Sequence, residues 1–202
     1  MEQEKIWDAI AKPWQEFREK PLVEVADFLK DKQGRILDLC CGSGRHFNLI
    51  NGDIYGTDFS EKMLALANKQ VQQVKIKAIL KKADATKIPF EADFFDAAIY
   101  IAGLHCIESI AGRKKSLQEL FRVLKPQAEA LISVWSRKQK RIKNKPKEAY
   151  IPWTVNGKIY ERYYHLYEKE ELEEELRQIG FEIVSSKEFK NIFIIVKKPK
   201  SN

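Results

Sequence analysis

The stretch Arg35-Ile-Leu-Asp-Leu-Cys-Cys-Gly-Ser-Gly44 decides how the rest of the chain is read. It begins as a short apolar run with the composition of a buried strand. It ends in Cys41-Gly42-Ser43-Gly44, which carries too little bulk for a packed element and suits a tight turn. The turn is expected to lead into a helical segment from Arg45 to Ile50 whose free backbone N–H groups face an anionic ligand. Asp58 follows Asp38 at about the interval at which nucleotide-binding βαβ units set a carboxylate on ribose hydroxyls. These features predict a nucleoside-cofactor pocket at the carboxyl ends of parallel strands. A dinucleotide fingerprint needs one more glycine, at the position Phe47 occupies, so the pattern excludes a nicotinamide cofactor.

At 202 residues the chain is long enough for one domain with a substantial core. Its formal net charge of +7 points to an anionic partner. The opening Met-Glu-Gln-Glu-Lys lacks the regions of a signal peptide, and no apolar run is long enough to span a bilayer. The adjacent pair Cys40-Cys41 and the lone Cys106 fit neither zinc-ligand spacing nor a disulfide framework, so a reduced, cytoplasmic protein is expected.

Residues 1–30 read as a helical arm that packs on the core or covers the pocket as a lid, with Arg18 pointing in. Pro13 predicts two short helices meeting there. A further helix is expected to start at Pro21 and to close at Gly34. Ile54–Asp58 reads as the second strand, followed by a helix capped by Ser60, and Ala78–Asp84 as the third. Phe94–Ile101 is apolar throughout, as a strand covered on both faces should be, and runs into Ala102-Gly-Leu-His105. Arg113–Leu124 reads as a helix and Ala130–Trp135 as the fifth strand. The basic run Arg137–Lys147, within a loop at 137–150, has no apolar periodicity and predicts a mobile, phosphate-contacting loop. Ile159–Tyr167 mixes aromatics with Arg162 and His165, a composition that stacks a base and holds an anion, or packs as an aromatic seam. An acidic helix at Lys169–Ile179, stopped by Gly180, and an antiparallel pair at Phe181–Ser185 and Ile192–Val196 complete the chain.

The Asp38-x-x-Cys-Gly-Ser-Gly44 string resembles the first motif of class I S-adenosylmethionine-dependent methyltransferases, with Cys40 where that family usually has glycine. The resemblance implies an α/β, Rossmann-like fold: a seven-stranded, mostly parallel sheet with a C-terminal antiparallel strand pair and helices on both faces. It implies S-adenosyl-L-methionine as cofactor, held by Asp38, Cys40, Gly42, Gly44, Asp58, Phe59, Asp84, Ala85 and Ile101, with Asp84 at the adenine amino group. It also places His105 near the reactive methyl.

Further strings resemble the wobble-uridine tRNA carboxymethyl methyltransferases. They are Phe17-Arg18-Glu-Lys20-Pro21, Ile101-Ala-Gly-Leu-His105, Ala130-Leu-Ile-Ser-Val-Trp135, Ile151-Pro-Trp153 and Arg162-Tyr-Tyr-His-Leu-Tyr167. Cys106 stands where those relatives commonly have a second histidine, and Pro126-Gln-Ala where Pro-Gly-Gly is usual. This narrower resemblance implies methyl transfer onto the carboxylate of 5-carboxymethyluridine in a tRNA anticodon loop. Arg18, His105, Arg162, Tyr163 and His165 would then form the substrate site. It also implies a small zinc-binding activator subunit as a separate chain, since this chain shows no metal-ligand set. The alternatives are a methyltransferase for a small acidic or phenolic metabolite, and an RNA-binding scaffold without catalysis.

Overall fold

β1 (Arg35–Leu39) sends alternate residues to opposite faces of a sheet, and both faces are covered. Leu37 and Leu39 pack with Leu117, Leu120 and Leu176, whereas Ile36 packs with Val25, Phe28 and Leu29. The computed structural model describes residues 2–200; Met1, Ser201 and Asn202 lie outside the described residues. In chain order the remaining elements are α1 (Glu2–Phe17), α2 (Val23–Leu29), β2 (Asp53–Asp58), α3 (Glu61–Gln73), β3 (Ala78–Lys82), β4 (Phe95–Ile101), α4 (Ile110–Val123), β5 (Leu124–Trp135), β6 (Glu148–Val155), β7 (Lys158–His165), α5 (Lys169–Ile179), β8 (Glu182–Glu188) and β9 (Asn191–Lys197).

Seven strands form one sheet in the order β3-β2-β1-β4-β5-β9-β8. β1 to β5 are parallel, and β9 runs antiparallel to both β5 and β8. The strand order reverses between β1 and β4, which opens a crevice at their carboxyl ends, where ligands bind in open α/β sheets. This is the sheet the sequence implied, with helices on both faces.

Several local expectations are corrected. α1 is one continuous helix through Pro13. Pro13 frees the carbonyl of Ala9, which is exposed and open to water, so the chain need not break there. α2 starts two residues after Pro21 and ends at Leu29; Gly34 instead sits at φ +81 in the turn into β1. No α-helix follows the glycine-rich turn, only a short 3-10 turn at Phe47–Leu49. Phe47 folds back beneath Gly44, and the chain is already extended at Ile50 on its way to β2. An N-terminal anion site is therefore absent from this segment.

β6 and β7, which the sequence reading left unassigned as a pair, form a separate two-stranded hairpin. Its tight turn is Asn156-Gly157, with φ +49 and +76, the geometry that Asn-Gly supplies in two-residue hairpin loops. The basic run is not a free loop either. Ile142 is buried against Trp135, Ala149, Tyr164 and Leu166, and the backbone N–H of Arg137 donates to Tyr167 O at 2.9 Å.

Of the three places where glycine is usual among the resembling proteins, Cys40 and Gln127 have φ +58 and +69, whereas Ala128 does not have a positive φ. Left-handed backbone costs a side-chain-bearing residue about 1–2 kcal/mol, partly offset by the greater chain entropy that glycine loses on folding. Gln127 is exposed, so Gln127→Gly is expected to stabilise the fold by about 0.5–1 kcal/mol. A thermal melt should register this as a rise of roughly 2 °C; a fall would mean that Gln127 makes an unrecognised stabilising contact.

Candidate active site

A cavity of about 480 Å³ opens at the carboxyl ends of β1, β2 and β4, a volume within the usual range for small-molecule sites. α1 covers one side, contributing Gln3, Trp7 and Trp14, with Arg18 in the turn that follows it. α1 is moored to α3 at Asp8, whose carboxylate accepts from Ser60 Oγ at 2.5 Å and from Lys62 N at 3.1 Å. Ser60 also caps α3, accepting from Met63 N.

The strand ends supply the acidic side. Asp38 is fully buried and its Oδ2 has no partner among the described residues. Burial pushes its carboxyl well above the usual carboxylate range, and the nearby Asp58 adds to the shift. Asp58 accepts from Gly42 N at one oxygen and Ser60 N at the other, both at 2.9 Å. Burial raises its pKa to about 6 against the pull of those two backbone donors. Asp84 receives the backbone N–H and hydroxyl of Thr86 on a single oxygen, Oδ1. Cys40, Gly42, Phe59, Ala85 and Ile101 also line the cavity. Gly44 does not: its role is the turn, since a Cβ there would meet the Phe47 ring at 2.6 Å.

The opposite wall is aromatic and cationic. His105 lies in a 3-10 turn after β4, stacked on Tyr164 at 5.0 Å and tilted against Trp135 at 5.8 Å. The backbone N–H of Trp135 donates to His105 Nδ1, which leaves the proton on Nε2, a buried atom without a partner among the described residues. Burial lowers the His105 pKa to about 3, helped by the neighbouring guanidinium groups of Arg162 and Arg18. This imidazole is neutral and a poor base. Arg18 lines the cavity, its guanidinium over the rings of Trp14 and Phe17, with no carboxylate partner among the described residues. Burial and the charges of Arg141 and Arg162 lower its pKa. Cys106 also lines the cavity, with its thiol raised to about 12 by burial.

Strand alternation divides the Arg162-Tyr-Tyr-His string between two faces of the hairpin. Tyr164 lines the cavity, and Arg162 lies one layer behind it, donating to the Tyr164 hydroxyl at 2.7 Å. Arg162 is 2% exposed, surrounded by Trp7, Trp14, Trp153 and Tyr164, and its Nε has no partner. Tyr163 and His165 point the other way, a correction to their expected place in the site. Tyr163 and the buried Arg113 meet at Glu148, and the His165 ring nitrogens lie 2.7 and 2.9 Å from Glu148 and Glu171. That network ties the hairpin to α4 and α5.

The sequence reading missed Trp7, Trp14, Tyr164, Trp135 as ring walls and His46 at the rear, whose pKa burial lowers to about 3. The Asn156-Gly157 turn was the available signal: it sets β6 against β7 and so fixes which of Arg162 to His165 face inward. Among the described residues no cluster of His, Cys, Asp and Glu forms a metal site, and no helix is long and apolar enough to cross a membrane.

Residues 37–132 match a family model described as a methyltransferase domain. A crystal structure of a methyltransferase dependent on S-adenosylmethionine, from Methanosarcina mazei, superposes with a TM-score of 0.76 at 22% identity, covering 90% of this chain and all of that one. With the buried carboxylates at the strand ends, these likenesses give residues 37–132 a methyltransferase domain and the whole chain the fold of S-adenosylmethionine-dependent methyltransferases.

The chain is also similar to tRNA (carboxymethyluridine(34)-5-O)-methyltransferases. The Arabidopsis thaliana protein is 35% identical over 67% of this chain, and the Schizosaccharomyces pombe protein 28% identical over 89%. The aligned part spans 33% of the plant protein and 88% of the fission yeast one, so the chain covers only about a third of the former. A Haloferax volcanii putative methyltransferase, solved in complex with the Trm112 methyltransferase activator, has the same fold at TM-score 0.73 and 14% identity, covering 99% of both chains.

Proposed function

We propose that this chain methylates the carboxylate of a 5-carboxymethyluridine at the wobble position of a tRNA anticodon. The names of the plant and fission yeast relatives support this substrate. The observation that carries it is the wall itself: an arginine without an acidic partner beside a histidine with almost no basicity. Such a wall suits a substrate group that is already an anion and needs no base. A metabolite phenol would need one, which disfavours the phenolic alternative; a small acidic metabolite is distinguished from the RNA by the test below.

The residues fit S-adenosylmethionine. All of them line the cavity, where Asp58 would take the ribose hydroxyls, Asp84, Ala85 and Phe59 would meet the adenine, and Asp38, Cys40, Gly42 and Ile101 would surround the methionine end. Asp38 Oδ2 is an orphaned acceptor of the kind an ammonium group satisfies. When bound, the cofactor would supply a methyl carbon on positively charged sulfur; a carboxylate oxygen would bond to that carbon as the carbon–sulfur bond broke and a neutral thioether left, with no proton having to move. Arg18 grips that carboxylate, His105 donates from Nε2, and Tyr164 and Trp135 form a ring wall for the uracil. Arg162 acts through Tyr164, holding its hydroxyl and hence its ring in place. The cations Lys140, Arg141, Lys143 and Lys145, without acidic partners among the described residues, meet phosphates. A small zinc-binding activator docks on β3, an edge strand with Ile79 exposed beside the Tyr55–Phe90–Phe94 cluster. A cytoplasmic location, with its three thiols free, goes with this reading.

The test is mass spectrometry of tRNA nucleosides after incubation with labelled cofactor, with and without activator. The methyl ester of 5-carboxymethyluridine is expected, and label on a base nitrogen would overturn the proposal. Asp58 must be ionised to accept two hydroxyls, so cofactor affinity falls as pH drops through about 6. Calorimetry should find binding about tenfold weaker at pH 5 than near neutrality, because only about one carboxyl in ten remains ionised one unit below its pKa. A flat profile would remove Asp58 from the ribose.

A further inference from the structure

We infer that the outer face of Phe17, backed by Trp153 and flanked by Arg18, is a stacking seat for the unpaired base adjacent to the one that enters the cavity; this rests on the RNA reading above. One exposed apolar side chain is ordinary on a protein surface. Phe17 differs because it ends a run of rings that begins at the cavity wall. Trp7 meets Trp14 edge-on at 5.3 Å, Trp14 meets Trp153 at 5.3 Å, and Trp153 meets Phe17 at 5.0 Å. Trp7 and Trp14 line the cavity; Phe17 stands outside it with 58% of its surface open to solvent. Its ring packs against Trp153, Trp14 and the Arg18 guanidinium, which fix its orientation, while most of its surface remains open to solvent.

The charge beside this ring selects the occupant. The Arg18 guanidinium lies 5.0 Å from the Phe17 ring centre and 5.2 Å from that of Trp14, which places a cation at the boundary between cavity and platform. The nearby Arg141 lies over Trp135 at 4.2 Å. A flat π-surface next to cations lacking acidic partners matches a nucleobase on its phosphate backbone better than an apolar peptide, which would leave those charges uncompensated. A target base withdrawn from an anticodon loop leaves its neighbour unstacked, and a ring at the cavity mouth replaces the lost partner. The seat is tolerant of base identity, since every base has a π-face.

The experiment uses the full chain with its cofactor and an anticodon stem-loop RNA bearing 2-aminopurine on either side of the target uridine, or in the stem. Wild type is expected to alter the fluorescence of one flanking probe and not the stem probe. Phe17→Ala should abolish that change and weaken stem-loop binding by roughly tenfold, within the range for loss of one base-stacking ring. Phe17→Tyr should restore both, while cofactor affinity and melting temperature stay equal in all three proteins. Unchanged binding and fluorescence in Phe17→Ala would overturn the seat while leaving the RNA reading intact. A wild type that binds no stem-loop would sink both. Loss of activator binding with unchanged RNA binding would assign the face to a protein and overturn the inference.

Discussion

On the reading proposed above, replacing Arg18 by alanine is expected to lower kcat/KM for the proposed RNA substrate by about 100-fold and to leave cofactor affinity within about twofold, on the basis that one fully engaged charge pair contributes roughly 3 kcal/mol. Arg18 is the guanidinium on the cavity wall, and no described carboxylate competes for it. Being half-exposed at the end of α1, it can be truncated without opening the core. Arg18→Lys keeps the charge but loses the planar fork, so partial recovery is expected. Steady-state kinetics with stem-loop RNA, alongside calorimetry for the cofactor, separate the outcomes. An equal loss of both affinities would mean that α1 no longer seats, and the assignment of Arg18 to the substrate would fall.

Asp58→Ala is expected to weaken cofactor binding by at least about 100-fold, since two hydrogen bonds to a charged acceptor contribute roughly 1.5 kcal/mol or more apiece. The same carboxylate also holds Gly42 N and Ser60 N, so its removal loosens the turn and the start of α3 together. Asp58→Asn retains an acceptor oxygen without the charge and should fall between. Relief of a buried carboxyl whose pKa is raised to about 6 offsets part of that loss of stability in the apo protein. Calorimetric titration measures the first effect and a thermal melt the second. Wild-type affinity in Asp58→Ala would show that the ribose lies elsewhere.

The sheet was legible because its strands are short apolar runs, and because Gly42, Asp58 and Gly180 fall where a parallel sheet with nucleotide-binding turns needs them. The hairpin was hidden by Pro152, which argues against a strand in most contexts. Pro152 is tolerated in β6 because it is exposed and the hairpin stands apart from the main sheet. Without the hairpin the four residues Arg162 to His165 could not be sorted by face, so Tyr163 and His165 were grouped with Arg162. The aromatic cage around Arg162 draws on α1, β6 and β7, elements distant in sequence, and no local pattern brings them together. The expected helix after Gly44 failed for a different reason: too few residues separate that turn from β2.

Pro13 divides α1 into two parts with unequal moorings. Upstream, Asp8 ties the helix to α3, and Trp7 and Ile10 are buried. Downstream, the turn carrying Trp14 and Phe17 follows a missing backbone hydrogen bond and is held by ring contacts with Trp7 and Trp153 rather than by a carboxylate tie to another helix. On the reading proposed above, this downstream turn is the part of the helix that a departing nucleoside would displace, while the upstream half kept its hold on the floor where the next donor would land.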